Sequence, residues 1–370
     1  MSGAAAVVIG VSAAAAALCG HFLARYVAAK ALLPDRPNGR SSHRQATPRA
    51  GGFAIFGGFI VAMSIEIGLP SFGGLPAGYA PLLGCGLAAF VFGAIDDARP
   101  LGARMKLGAQ IATAIAFVAL VGPVTSIPLP GLGDFPLGWS AFPLTVFWIV
   151  AFMNAFNFMD GVNGIAGACA IFALSALAVA TAGGGDFTWA PPAIILACAL
   201  FGFLPLNFPS GRLFMGDGGS QGVGFLIAAL AVLTSTGEGA VSPLFTPLVF
   251  MPFLFDVSFT LIHRIRRGRN ILEGHNEHLY QLLVRLGRSH QSVTTAYLTL
   301  TVISTTAAII ASALAPSLQF LAVIALLALF LPLGLIVYRR AERAGLLATS
   351  AALAGLPTAD EAAPFRAAAE

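Results

Sequence analysis

A chain of 370 residues, 57% hydrophobic and only 10% charged, cannot cover a globular surface with polar groups, because soluble domains carry about 25% charged residues. Its mean hydropathy of +0.85 makes lipid the solvent instead. The net charge of +4 is spread without the interleaved aromatics of a nucleic-acid surface, which excludes nucleic acid as a partner.

Runs of roughly 17–25 apolar residues, each able to cross ~30 Å of hydrocarbon, recur along the chain. They lack the alternation of barrel strands, so helices are the only way to satisfy their backbone in lipid. Eleven spans are predicted, near 4–27, 51–69, 78–95, 107–123, 141–158, 164–182, 190–206, 221–236, 243–262, 293–314 and 319–338. The first lacks a basic leader and has Leu18 before Cys19, so it reads as a span and not as a cleaved signal. Cys19, Cys85, Cys169 and Cys198 all fall inside spans without CxxC pairing and read as small core residues.

All twenty Lys and Arg residues then fall on one side, whereas loops 70–77, 124–140, 183–189, 237–242 and 315–318 contain none. The positive-inside rule makes the basic side cytoplasmic. The fold expected is an all-α integral membrane protein of about eleven transmembrane helices, N-terminus outside and C-terminus cytoplasmic. Residues 1–340 form a polytopic catalytic domain and 341–370 an Ala-rich cytoplasmic tail.

Five polar segments lie on the inner side: 34–52, 96–106, 154–164, 207–220 and 263–281. In the second, adjacent Asp96 and Asp97 repel unless a cation sits beside them; the alternative is a solvated helix end facing Arg99 and Arg104. In the third, Asn154, Asn157 and Asp160 follow at intervals of three and share a helix face, with Asn163 close by, a polar line that is costly unless it binds something. Asp217 in MGDGGS is followed by glycines that let a ligand approach, and the helix after it would turn its first amides towards phosphate. Asp256, inside the ninth span, must face the bundle interior and pair with Arg264 or another helix. His275 and His278 are neighbours on a short helix whose Leu279, Leu282, Leu283 and Leu286 would lie along the membrane surface. Zinc at these histidines lacks further ligands; the oxygen-rich acid set suits Mg²⁺ or Mn²⁺, completed by substrate phosphates.

The ordered set PNGRSSHRQATPRAGG, DDARPL, NAFNFMDGVNG, FMGDGGS and HNEHLYQ resembles the polyprenyl-phosphate N-acetylhexosamine-1-phosphate transferases, initiators of lipid-linked glycans. The resemblance implies a Mg²⁺-dependent enzyme of a bacterial inner (plasma) membrane, active on the cytoplasmic face. Its substrates would be a UDP-N-acetylhexosamine donor and an undecaprenyl or other polyprenyl phosphate, its products the polyprenyl-diphosphate-sugar and UMP. It also implies roles: Asp217 and Asn157 at the metal, Asp96, Asp97 and Asp160 in catalysis, and Lys106 on the diphosphate. Asn154, Asn163, His43, Arg49, His275 and His278 fall to substrate. The spacing HNEHLYQ looks like the branch that starts O-antigen or related surface polysaccharides, not the peptidoglycan translocase. A homodimer is compatible with all of this. Rival readings are a transporter or lipid flippase, which would place polar groups at the midplane and on both faces, and an Asp-rich prenyltransferase, whose third acid DDARP lacks.

Overall fold

The computed structural model describes residues 2–35, 46–70, 74–185, 187–236, 240–270, 274–315 and 317–347. His43 and residues 348–370 of the tail lie outside them. In chain order the elements are α1 (Gly3–Ala29), β1 (Pro34–Asp35), β2 (Thr47–Pro48), α2 (Gly51–Gly68), α3 (Tyr79–Ala98), α4 (Ala103–Val121), β3 (Ser126–Leu129), β4 (Gly133–Pro136) and α5 (Ala141–Met159). There follow α6 (Ile165–Gly183), α7 (Ala190–Asn207), α8 (Gly216–Thr234), α9 (Phe245–Val249), α10 (Met251–Arg266), α11 (Leu279–Arg285), α12 (His290–Leu314) and α13 (Leu318–Arg343). The only sheets among the described residues are the antiparallel pairs β1–β2 and β3–β4. Ten of the described helices are long and apolar enough to span a bilayer. The protein is an all-α, multi-pass integral membrane protein.

The helices are not equivalent. In α8, 94% of the spanning window is buried inside the protein, against 17% in α13 and 22% in α1 and α4. A helix apolar on every side belongs inside a bundle, so α8 is the central post and α1, α4 and α13 face lipid. In lipid, helices associate by close packing of small residues more than by apolar burial. The α1–α2–α7 contact follows that rule: a Cβ on Gly58 would sit 2.6 Å from Ala16 O, and one on Gly202 would sit 2.2 Å from Ala17 O.

Several features differ from the sequence reading. The ninth span is not one helix. It divides at Phe250 into α9 and α10, with Pro252 in the first turn of α10, where its missing N–H is tolerated. The eighth helix begins at Gly216 rather than near 221, because its first amides find a partner on α3. His275 lies before α11 and His278 is its N-cap, so the two are not on a helix together, although their rings stand 4.9 Å apart. Leu279 and Leu282 do not lie along a membrane surface; they are buried with Phe259, Tyr338 and Ala341 against α13. That helix continues to Arg343, three residues past the expected domain limit.

Candidate active site

The third, fifth and eighth helices bring their polar ends together with the start of α4. Asp97, on the last turn of α3, accepts the backbone N–H of Asp217 at 3.0 Å and of Gly218 at 2.8 Å, one on each oxygen. A carboxylate at a helix N-terminus satisfies orphan amides and meets the positive end of the helix dipole. Asp97 occupies these two amides. Arg49 Nε lies 3.5 Å from the same carboxylate. The approach is possible because glycines line it. A Cβ on Gly93 would meet Asp217 O at 2.4 Å, and one on Gly52 would meet Gly219 N at 2.4 Å. Backbone bonds Gly51 N to Phe214 O (2.9 Å) and Gly52 N to Met215 O (2.8 Å) dock the first polar segment on the fourth.

Held this way, the Asp217 side chain turns towards its neighbours. Lys106 Nζ donates to Asp217 Oδ2 at 2.8 Å and also bonds Asp96 Oδ2. Asp96 and Asp217 are thus bridged by one ammonium. Asp96 Oδ1 accepts Leu101 N at 2.6 Å, which closes the turn between α3 and α4. Asp96 thus pairs with Lys106 rather than facing Arg99 and Arg104. Asn157 Nδ2 donates to Asp217 Oδ1 at 3.2 Å and to Ser220 Oγ at 2.7 Å. Asp160 caps α5 beside them; burial, with the charges of Asp217 and Asp97 adding and Arg49 opposing, raises its carboxyl well above the usual range.

One turn deeper lies a layer the sequence reading missed. Gln110 Nε2 donates to Gln221 Oε1 at 2.8 Å, and Asn154 Nδ2 donates to Gln110 Oε1 at 2.7 Å and to Val150 O at 2.8 Å. Each of α4, α5 and α8 thus carries an upper and a lower polar residue: Lys106 over Gln110, Asn157 over Asn154, Asp217 over Gln221. The four-residue intervals from Lys106 and Asp217 were the available signal. Asn154, assigned to substrate by resemblance, is engaged in this amide layer. Asn163 likewise donates to Pro209 O at 3.3 Å, and its carbonyl accepts Thr294 Oγ1 at 2.7 Å. A cleft runs inward from Asp96, Lys106 and Asp217, past Gln110, to an apolar floor that includes Ala89 and Phe92.

The last polar segment reaches the same end through Tyr280, whose hydroxyl donates to Phe158 O at 2.7 Å. Glu277 accepts Arg264 Nη1 at 3.1 Å and also binds Arg269. Of the two partners expected for Asp256, Arg264 is engaged by Glu277, and the carboxylate pairs with another helix through Tyr297 of α12. His275 is half-buried, and burial, followed by the charges of His278 and Arg264, pushes its imidazole down to about 3. Arg49 is partly exposed at 36% beside Asp97, and His43 lies outside the described residues.

A multi-helix membrane bundle with acids, amides and one lysine converging at one end has groups that can offset phosphate charge. Residues 79–235, which contain Asp96, Asp97, Lys106, Asn157, Asp160 and Asp217, match the family model Glycosyl transferase family 4. The chain is 31% identical over 297 residues to a Bacillus subtilis (strain 168) protein named probable undecaprenyl-phosphate N-acetylglucosaminyl 1-phosphate transferase, covering 79% of this chain and 81% of the relative. It is 33% identical over 288 residues to the decaprenyl-phosphate N-acetylglucosaminephosphotransferase of Mycobacterium tuberculosis (strain ATCC 25618 / H37Rv), at 70% of each chain. A Yersinia pestis undecaprenyl-phosphate alpha-N-acetylglucosaminyl 1-phosphate transferase is 29% identical over 283 residues, 72% of this chain and 73% of the relative. The chain belongs to glycosyl transferase family 4. Membership of a transferase family sets the transporter, flippase and prenyltransferase readings aside.

Proposed function

We propose that the protein transfers an N-acetylhexosamine-1-phosphate from a UDP-sugar to a polyprenyl phosphate, undecaprenyl phosphate in a bacterium. A phosphate oxygen of the lipid attacks the sugar-bearing phosphorus of the donor, a new P–O bond forms, and the bond to the bridging oxygen breaks. UMP leaves with that oxygen and its electron pair, and the products are polyprenyl-diphosphate-sugar and UMP. The observation that carries this reading is the junction of Asp96, Asp217, Asn157 and Lys106. Phosphoryl transfer between two anions needs charge neutralisation and alignment more than covalent machinery.

The donor set suits Mg²⁺ or Mn²⁺. Ions of this kind are held by one or two carboxylates and completed by water and substrate phosphates. Asp217, and Asn157 through its carbonyl oxygen, would hold it. When bound, the ion supplies neutralisation of the diphosphate. Lys106 offsets charge on the leaving phosphate, and Asp96 keeps the lipid phosphate deprotonated. Asp97 keeps α8 in register. The polar mouth and apolar floor of the cleft suit a phosphate carried on an isoprenoid chain. The active site belongs on the cytoplasmic face of the bacterial plasma membrane, and the step begins O-antigen or a related surface polysaccharide.

The test uses purified protein with polyprenyl phosphate, Mg²⁺ and a panel of UDP-acetamido sugars, with the nucleotide product identified. UMP together with a lipid diphosphate-sugar is expected. Release of UDP would mean transfer of the sugar alone, and no nucleotide release from any donor would sink the proposal.

A further inference from the structure

His275 and His278 share a segment but not an environment. His278 is 2% exposed, and its Nδ1 lies 3.2 Å from Asp256 Oδ1. Asp256 is completely buried in α10. Its Oδ1 also accepts Leu279 N at 2.8 Å, and its Oδ2 accepts Tyr280 N at 3.1 Å and the Tyr297 hydroxyl of α12 at 2.5 Å. Thr260 Oγ1 adds a contact at 3.2 Å. One carboxylate therefore joins α10, α12 and the start of α11. Buried acids persist where several donors converge, and such networks fix geometry.

The anchored segment in turn touches the site. The Tyr280 hydroxyl bonds Phe158 O, one residue after Asn157 and two before Asp160. There is no slack here, because a Cβ on Gly161 would lie 2.1 Å from the Tyr280 oxygen. The Phe158 and His278 rings stand 5.5 Å apart. His275 differs: its Nδ1 accepts Glu277 N at 3.4 Å, which places the ring hydrogen on Nε2.

We propose that Asp256 is a positioning residue for donor use: through His278 and Tyr280 it docks the 275–280 segment on Phe158 and so holds the end of α5 that carries Asn157 and Asp160. His278 is then part of the anchor and not a substrate contact. The inference rests on the reading of the site as a nucleotide-sugar transferase. A carboxylate that orients a histidine acts through it, and misplacement of about 1 Å can cost rate on the order of 100-fold.

The experiment compares Asp256→Asn, Tyr280→Phe, His278→Ala and His278→Asn in the full-length protein, reading kcat, KM for each substrate and melting temperature. Tyr280→Phe, which deletes one hydroxyl, is expected to melt near wild type yet raise the UDP-sugar KM on the order of 10-fold, leaving the polyprenyl phosphate KM within about twofold. His278→Asn, which keeps an N–H near Nδ1, should recover most of what His278→Ala loses. Equal changes in both KM values, or lower melting with unchanged KM, would reduce Asp256 to scaffold. Deuterium exchange of residues 274–281 reads the anchor without turnover. Asp256→Asn should speed exchange at Leu279 and Tyr280; unchanged exchange would overturn the anchor even if the enzyme is active. Faster exchange in Asp256→Asn while the wild-type protein itself turns over no UDP-sugar would place the failure in the transferase reading.

Discussion

Asp97 on α3 holds the amide of Gly218 on α8 at 2.8 Å. That contact separates two adjacent acids that look identical in the sequence. Asp97 is consumed by the helix it caps, while Asp96 faces Lys106 and Asp217.

The two acids should therefore fail differently. Asp97→Ala leaves two buried N–H groups without an acceptor, at about 1–3 kcal/mol each, so both melting temperature and activity should fall. Asp96→Asn should lose turnover by about 10²–10³-fold, the range for removing one charge-positioning group, with melting close to wild type. Thermal melts and initial rates on both variants decide the matter. Loss of turnover without loss of stability in Asp97→Ala would return Asp97 to direct chemistry.

Asp217→Asn keeps the shape but removes charge at the point where Lys106 and Asn157 converge. Turnover should fall by at least about 10²-fold, and added Mg²⁺ or Mn²⁺ should not restore it. Substantial residual activity would remove Asp217 from the metal site.

The glycine approach between α3 and α8 gives a steric prediction. Gly93→Ala would push a methyl into Asp217 O, 2.4 Å away, whereas Gly84→Ala on the same helix meets nothing within 4 Å. Overpacking of this kind costs typically about 1–3 kcal/mol, and here it also displaces the site. Gly93→Ala should lose stability and activity, and Gly84→Ala neither. Comparable melting curves and rates for the two would show that α8 is free to shift.

The spans were legible because lipid demands long apolar runs, and the site because costly polar residues collected at one end. What escaped was long-range. The Asp97 bond to Asp217 joins residues 120 apart, and nothing near either position announces it; the late start expected for α8 follows from that omission. Asp256 was visible as a buried acid, but its partners lie 22 to 41 residues downstream. Gln110 and Gln221 sat at readable intervals from Lys106 and Asp217, yet only the adjacency of α4 and α8 makes them a layer.

His275 provides a pH test. The unfolded imidazole binds a proton near pH 6.5, the folded one only near pH 3. Between those values the unfolded chain holds the extra proton, so folding weakens as pH falls from about 6.5 towards 3; above 6.5 the residue contributes nothing. Melting curves from pH 8 to 5 should show His275→Gln losing less stability on acidification than wild type. Parallel curves would mean that the ring is not held neutral.

The broken ninth helix decides topology. If α9 and α10 together cross the bilayer, Trp139 before α5 and Arg288 before α12 lie on opposite sides, with Arg288 cytoplasmic by the positive-inside rule. Trp139 is 91% exposed and Arg288 is also exposed, so single cysteines at either position can report. With Cys19, Cys85, Cys169 and Cys198 replaced, Trp139→Cys should react with a membrane-impermeant maleimide on intact cells, and Arg288→Cys only after permeabilisation. Labelling of Arg288→Cys from outside would mean that α9 and α10 form a re-entrant hairpin. The Asp256 anchor would then sit at the opposite face from the end of α5 that carries Asn157, which the 2.7 Å bond from Tyr280 to Phe158 does not allow.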